Sequence, residues 1–69
     1  MQIRLKAWRL RRVLTQRELA AASGVGAATI ARIETGAEAR PSTVRRLALA
    51  LGVRPEQLLE EPPPIKQVA

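Results

Sequence analysis

The chain has 69 residues, 46% of them apolar and 26% charged, and its twelve Lys and Arg outnumber six acids for a formal net charge of +6. A chain this short makes one domain that buries only about 60% of its unfolded surface, so a second catalytic domain is not expected. With neither cysteine nor histidine, disulfides, thiolate chemistry, the usual zinc sites and Ser/His or Cys/His nucleophile pairs are ruled out, and no metal or other cofactor is expected.

Period-two runs of β-branched residues do not occur, while Ala, Leu, Arg, Glu and Gln dominate up to Pro62, so the chain is read as all-α. A first helix is predicted from Ile3 to about Arg12, with Leu5 and Trp8 on one side and arginines over much of the rest. Trp8, the one aromatic residue, is read as a core anchor, because a base-stacking platform offers several rings. Thr15-Gln16-Arg17-Glu18 fits a capping box that starts a second helix near Gln16, and Ser23-Gly24 ends it. Gly26 caps a third helix, Ala27 to about Glu34, with Ile30 and Ile33 as its apolar stripe and Thr35-Gly36 as its stop. Pro41 opens a fourth helix that turns Val44, Leu47, Ala48 and Leu51 inward and closes at Gly52. Pro55 opens a fifth, where Leu58 and Leu59 pack, and Pro62-Pro63-Pro64 forbids continuation. A domain over residues 1–61 and a loose Pro-rich tail over 62–69 are therefore expected.

The charge is unevenly placed. Residues 1–17 carry Arg4, Lys6, Arg9, Arg11, Arg12 and Arg17 and no acid, whereas residues 56–61 carry Glu56, Glu60 and Glu61 and no base. Such a domain is attracted to polyanions by counterion release, which favours nucleic acid, with an anionic membrane surface as the competitor and plain solvated arginines as the third reading. Membrane association is disfavoured because Leu5 and Trp8 are wanted by the core. No apolar run approaches the roughly 20 residues of a membrane span. No secretion signal follows the basic amino terminus, so a cytoplasmic location is expected. Ser23, Ser42 and the glutamates offer no base beside a nucleophile, and an enzyme is not expected.

Counted from Gln16, Ala20 is the small residue where two helices cross, Gly24 the turn, and Ile30 and Ile33 the branched wedge behind a second helix. With Leu14-Thr15-Gln16-x-x-Leu19-Ala20, Gly24-Val25, Thr29-Ile30-x-x-Ile33-Glu34-x-Gly36 and Leu47-Ala48-x-Ala50-Leu51-Gly52-Val53, the chain resembles the Cro-like phage-repressor family of helix-turn-helix proteins over about residues 5–59. The resemblance implies a compact five-helix, lambda-repressor-like domain that binds double-stranded DNA sequence-specifically as a transcriptional regulator of the repressor kind. It also implies a homodimer, which such a small interface could confine to DNA, with the outer parts of the fifth helix and the tail as contact surface. A protein-binding adaptor, such as an antitoxin-like partner, is the alternative.

At about 100° per residue, Ala28 and Arg32 lie opposite Ile30 and Ile33 on the third helix. The resemblance puts that helix in the major groove, with Ala27, Ala28, Thr29 and Arg32 near base edges. Arg32 is the candidate for a guanine, or else a solvated or phosphate-bound arginine; Ala27 and Ala28 meet a thymine methyl or only give clearance. Gln16 starts the second helix, where free amides favour an anion, and is read as a phosphate contact or a surface glutamine. The resemblance adds Arg17, and places Arg40, Ser42 and Thr43 against the sugar-phosphate chain. Relatives pair the positions of Arg9 and Glu34, so a structural ion pair is expected, and Glu34→Ala should loosen the fold before it alters DNA chemistry. The family favours glycine where Val13 stands; because valine resists positive φ, a different ending of the first helix is expected.

Overall fold

The computed structural model describes residues 1–64, and its helices begin and end at identifiable chemical signals. The first helix, α1, spans Leu5–Arg11. It is shorter than expected, because Ile3 is buried from a non-helical lead-in, where the Arg4 N–H donates to the Leu58 carbonyl at 2.7 Å.

The expected exception at Val13 is overturned: α1 ends as a glycine would end it. Val13 takes φ +56°. Its N–H donates to the Leu10 carbonyl at 2.9 Å and the Leu14 N–H to the Arg9 carbonyl at 3.2 Å, the paired bonds of a helix closed by a left-handed residue. What outweighs valine's resistance is the packing on either side, with Trp8 and Arg9 before the turn and Leu19 after it all buried. Val13 itself is 86% exposed. Left-handed backbone costs a side-chain-bearing residue about 1–2 kcal/mol, whereas glycine's extra unfolded entropy costs about 0.5–1 kcal/mol. Val13→Gly is therefore expected to raise the melting temperature by a few degrees, roughly 4–8 °C per kcal/mol for a domain of this size. An unchanged or lower melting temperature in a thermal scan contradicts this.

The second helix, α2, spans Gln16–Ser23 behind the capping box: the Glu18 N–H donates to Thr15 Oγ1 at 3.0 Å and the Thr15 N–H to Glu18 Oε1 at 2.8 Å. Gly24 follows with φ +74°, and a Cβ there would touch nothing within 4 Å, so backbone conformation and not space selects glycine. The third helix, α3, spans Ala27–Glu34 and the fourth, α4, spans Pro41–Leu51. The expected fifth helix is a single 3-10 turn over Pro55–Leu59. Its last carbonyls are used elsewhere: Leu58 accepts from the Arg4 N–H, and Glu60 accepts from Trp8 Nε1 at 2.8 Å. The chain thus leaves the helical path before Pro62. Of the tail expected over 62–69, residues 65–69 lie outside the described part, and the Pro63 carbonyl accepts from Arg11.

α2 packs on both α3 and α4, α4 carries the 3-10 turn, and α1 closes over α3. Leu5, Leu19, Ile30, Val44, Leu47 and Leu58 are the largest fully buried side chains among the described residues, with Trp8 against them. Trp8 is a core anchor whose indole N–H is satisfied at Glu60, so its apolar ring is buried without an orphaned donor.

Candidate nucleic-acid interface

α3 sits on the core by two residues. Ile30 is 0% exposed and Ile33 4%, and one helical turn separates them, so α3 cannot roll without pulling a branched side chain out of a packed interior. The edge opposite is open: Ala28 and Arg32 are exposed, and Ala27, Thr29 and Ala31 are half-buried at its sides. Arg32 leans toward Thr29, with Nη2 3.4 Å from Oγ1. The methyl groups of Ala27 and Ala28 let a partner approach the helix backbone near its free N-terminal amides, where negative charge is favoured.

Beside this edge runs a groove lined by Thr29, Arg32, Ala37, Glu38, Arg40 and Thr43. It brings together four predicted contact residues from α3 and from the start of α4. Arg40 is the N-cap of α4, Pro41 its first residue, and Ser42 is exposed beside Thr43. Arg17 is exposed in the first turn of α2. Arg17 and Ser42 do not line the groove. Glu38, an acid on the groove rim, was not singled out in the sequence, where its position two residues before Arg40 was the available signal.

Gln16 is half-buried, and its side-chain amide donates to Glu34 Oε1 at 3.1 Å. That oxygen also accepts from Arg9 Nη2 at 2.9 Å, while Arg9 Nε donates to Glu34 Oε2 at 2.7 Å and Nη1 to the Leu14 carbonyl at 2.8 Å. The Arg9 and Glu34 side chains are 9% and 4% exposed. The Arg9–Glu34 pair therefore ties α1, the α1–α2 turn, the start of α2 and the end of α3, which fixes the two helices of the site relative to each other. The family resemblance implied the Arg9–Glu34 pair, but nothing in the sequence signalled that Gln16 joins it.

Charge follows the same contacts. Burial pushes the Glu34 carboxyl up, but hydrogen bonds from Arg9 and Gln16 and the positive charges of Arg9 and Lys6 hold it below the ordinary carboxylate range. The hydrogen bond to Glu34 raises Arg9 against the opposing effect of burial, and the charge of Glu34 adds to it. The Thr15 backbone N–H, then its hydroxyl, lower Glu18. Depressed carboxylates contribute stability that is present above their unfolded pKa and is lost as pH falls through the folded value. Melting temperature is accordingly expected to hold above roughly pH 5 and to fall on acidification below the ordinary glutamate pKa of about 4.3. Glu18→Gln keeps an acceptor for the Thr15 amide and removes one titrating group, so its acid decline should be shallower. Superimposable pH profiles would contradict that assignment.

Two helices locked at a glycine turn, the second with a free outer edge, define a helix-turn-helix domain. A family model described as Helix-turn-helix matches residues 5–58, and the chain belongs to that family. It is similar to the HTH-type transcriptional repressor RghR of Bacillus subtilis (strain 168), 42% identical over 66 residues that cover 93% of this chain and 49% of that protein. The chain thus spans about half the length of this curated relative. No solved structure matches.

Proposed function

We propose that the chain binds double-stranded DNA sequence-specifically as a transcriptional repressor and works by binding, not by turnover. The observation that carries this is the geometry of α3: Ile30 and Ile33 are locked inside while Ala28 and Arg32 stand on an unobstructed edge. An α-helix fits the width of the major groove, and a basic domain with this edge meets both its shape and its charge. Ala27, Ala28, Thr29 and Arg32 face bases; Arg17, Arg40, Ser42, Thr43 and the amides at Gln16 face the sugar-phosphate chain. The similarity to a repressor supports the regulatory role. Residues 1–61 form the DNA-binding domain, and two copies bind a two-fold operator through the 3-10 turn, where Leu59 is 44% exposed. A DNA-binding regulator of this kind acts in the cytoplasm.

Selection of duplexes from a random pool at two salt concentrations tests the proposal. Recovery of a two-fold motif whose affinity falls steeply with salt supports it, whereas tight binding of a protein with weak salt dependence supports an adaptor. Arg32→Ala should relax the preference at one base pair per half-site, at a cost of about 1–3 kcal/mol. Arg40→Ala should instead weaken all sequences about equally and lower the salt slope by about one. An unchanged motif for the Arg32 variant removes that residue from base reading.

A further inference from the structure

We infer that residues 1–3 are a strap that holds the α3–α4 link in place and so positions Arg40 for the duplex backbone, with Gln2 as its positioning side chain. The inference rests on the DNA-binding reading. The link leaves α3 through two bonds, Gly36 N–H to the Ile33 carbonyl at 3.1 Å and Ala37 N–H to the Arg32 carbonyl at 2.9 Å. It enters α4 when the Val44 N–H reaches the Arg40 carbonyl at 2.9 Å. Between those anchors, its main-chain hydrogen bonds among the described residues go to Met1. The Ala39 N–H donates to the Met1 carbonyl at 2.7 Å, and the Met1 nitrogen donates to the Ala39 carbonyl at 3.0 Å. Gln2 Nε2 adds a bond to the Gly36 carbonyl at 3.0 Å. The strap is itself anchored, by the burial of Ile3 and by the Arg4 N–H at Leu58.

Arg40 is the residue after Ala39, and Thr43 follows one helical turn into α4; both line the groove beside Arg32. A link released from Met1 and Gln2 keeps its two ends but loses its middle, so Arg40 must be ordered at the moment of binding, and that ordering reduces affinity. Most of the strap's effect on DNA therefore passes through Arg40 and disappears when Arg40 is absent.

A double-mutant cycle tests this on a selected duplex. Gln2→Ala, and a chain from which residues 1 and 2 are removed, are each measured alone and combined with Arg40→Ala. Alone, about a threefold loss of affinity is expected for Gln2→Ala, which removes one hydrogen bond, and at least about tenfold for the shortened chain, which removes all three. In the Arg40→Ala background each loss should shrink below about twofold, because coupled residues are non-additive. Equal losses in both backgrounds, or no loss at all, overturn the inference, since a strap serving only global stability would act independently of Arg40. Amide exchange in the free protein gives a second readout: Ala39 should exchange faster in both variants while Leu47 is unchanged. If the shortened chain does not fold, Gln2→Ala completes the cycle alone. A parent that binds no duplex at low salt counts against the DNA reading instead, and unaltered Ala39 exchange then still counts against the strap.

Discussion

Glu34→Ala is expected to be among the most destabilising single substitutions in the chain, costing about 3 kcal/mol. Removing one member of a buried ion pair leaves the other charged and unpaired, at about 3–5 kcal/mol. The lower end applies because Arg9 keeps its bond to the Leu14 carbonyl. In a domain of this size that lowers the melting temperature by roughly 12 °C or more. The cause is distributed: Arg9 loses a bidentate partner, Gln16 loses its acceptor, and α1, α2 and α3 lose their common tie. Because a buried pair contributes little net stability beyond a well-packed apolar replacement, the double change Arg9→Met with Glu34→Leu should recover much of the loss. Thermal melts of the parent and the two variants decide. A Glu34→Ala protein that melts within two degrees or so of the parent contradicts the assigned role, as does a double variant that is worse than the single one.

Ala28→Glu should do the opposite to stability and far more to binding. Ala28 is exposed, so a longer side chain meets no protein atom that it must displace. It is the second residue of α3, where a carboxylate favours the helix by about 0.3–1 kcal/mol. On the open edge, however, the same carboxylate faces acceptor-rich base edges and flanking phosphates, and opposed like charges cost several kcal/mol. A loss of affinity of at least about 100-fold is expected, since each 1.4 kcal/mol is tenfold. The melting temperature should stay level or rise. Leu49→Glu makes the same charge change on the exposed side of α4, where Leu49 is 85% exposed, and should cost far less affinity. Equal losses for the two variants would mean that net charge alone governs binding.

What could be read from the sequence was whatever local chemistry specifies. The bounds of α2, α3 and α4 followed from a capping box, a proline at a first turn and residues suited to helix stops, all acting within four or five positions. The inward face of α3 followed from the spacing of Ile30 and Ile33. The helix stop at Val13 was misjudged because intrinsic preference disfavours valine there, and the flanking packing that overrides it lies outside any local pattern. The closing segment was expected to be a full helix because proline and leucines suit one; the pull of Arg4 and Trp8 on its carbonyls comes from more than fifty positions away. Separations of 18 and 38 residues likewise hid the bond from Gln16 to Glu34 and the pairing of Met1 with Ala39, since neither leaves a periodicity. The candidate site was thus legible on α3, whose exposed edge is a property of one helix, and much less so where separate segments meet.

The account stands on the outer edge of α3 entering the major groove, and interference by methylation at guanine N7 measures that directly, because N7 lies in that groove. With a selected duplex, methylation of the guanine read by Arg32 should block binding by the parent and have no effect on Arg32→Ala. Binding that ignores N7 methylation throughout the site, with interference confined to minor-groove positions, would contradict the account.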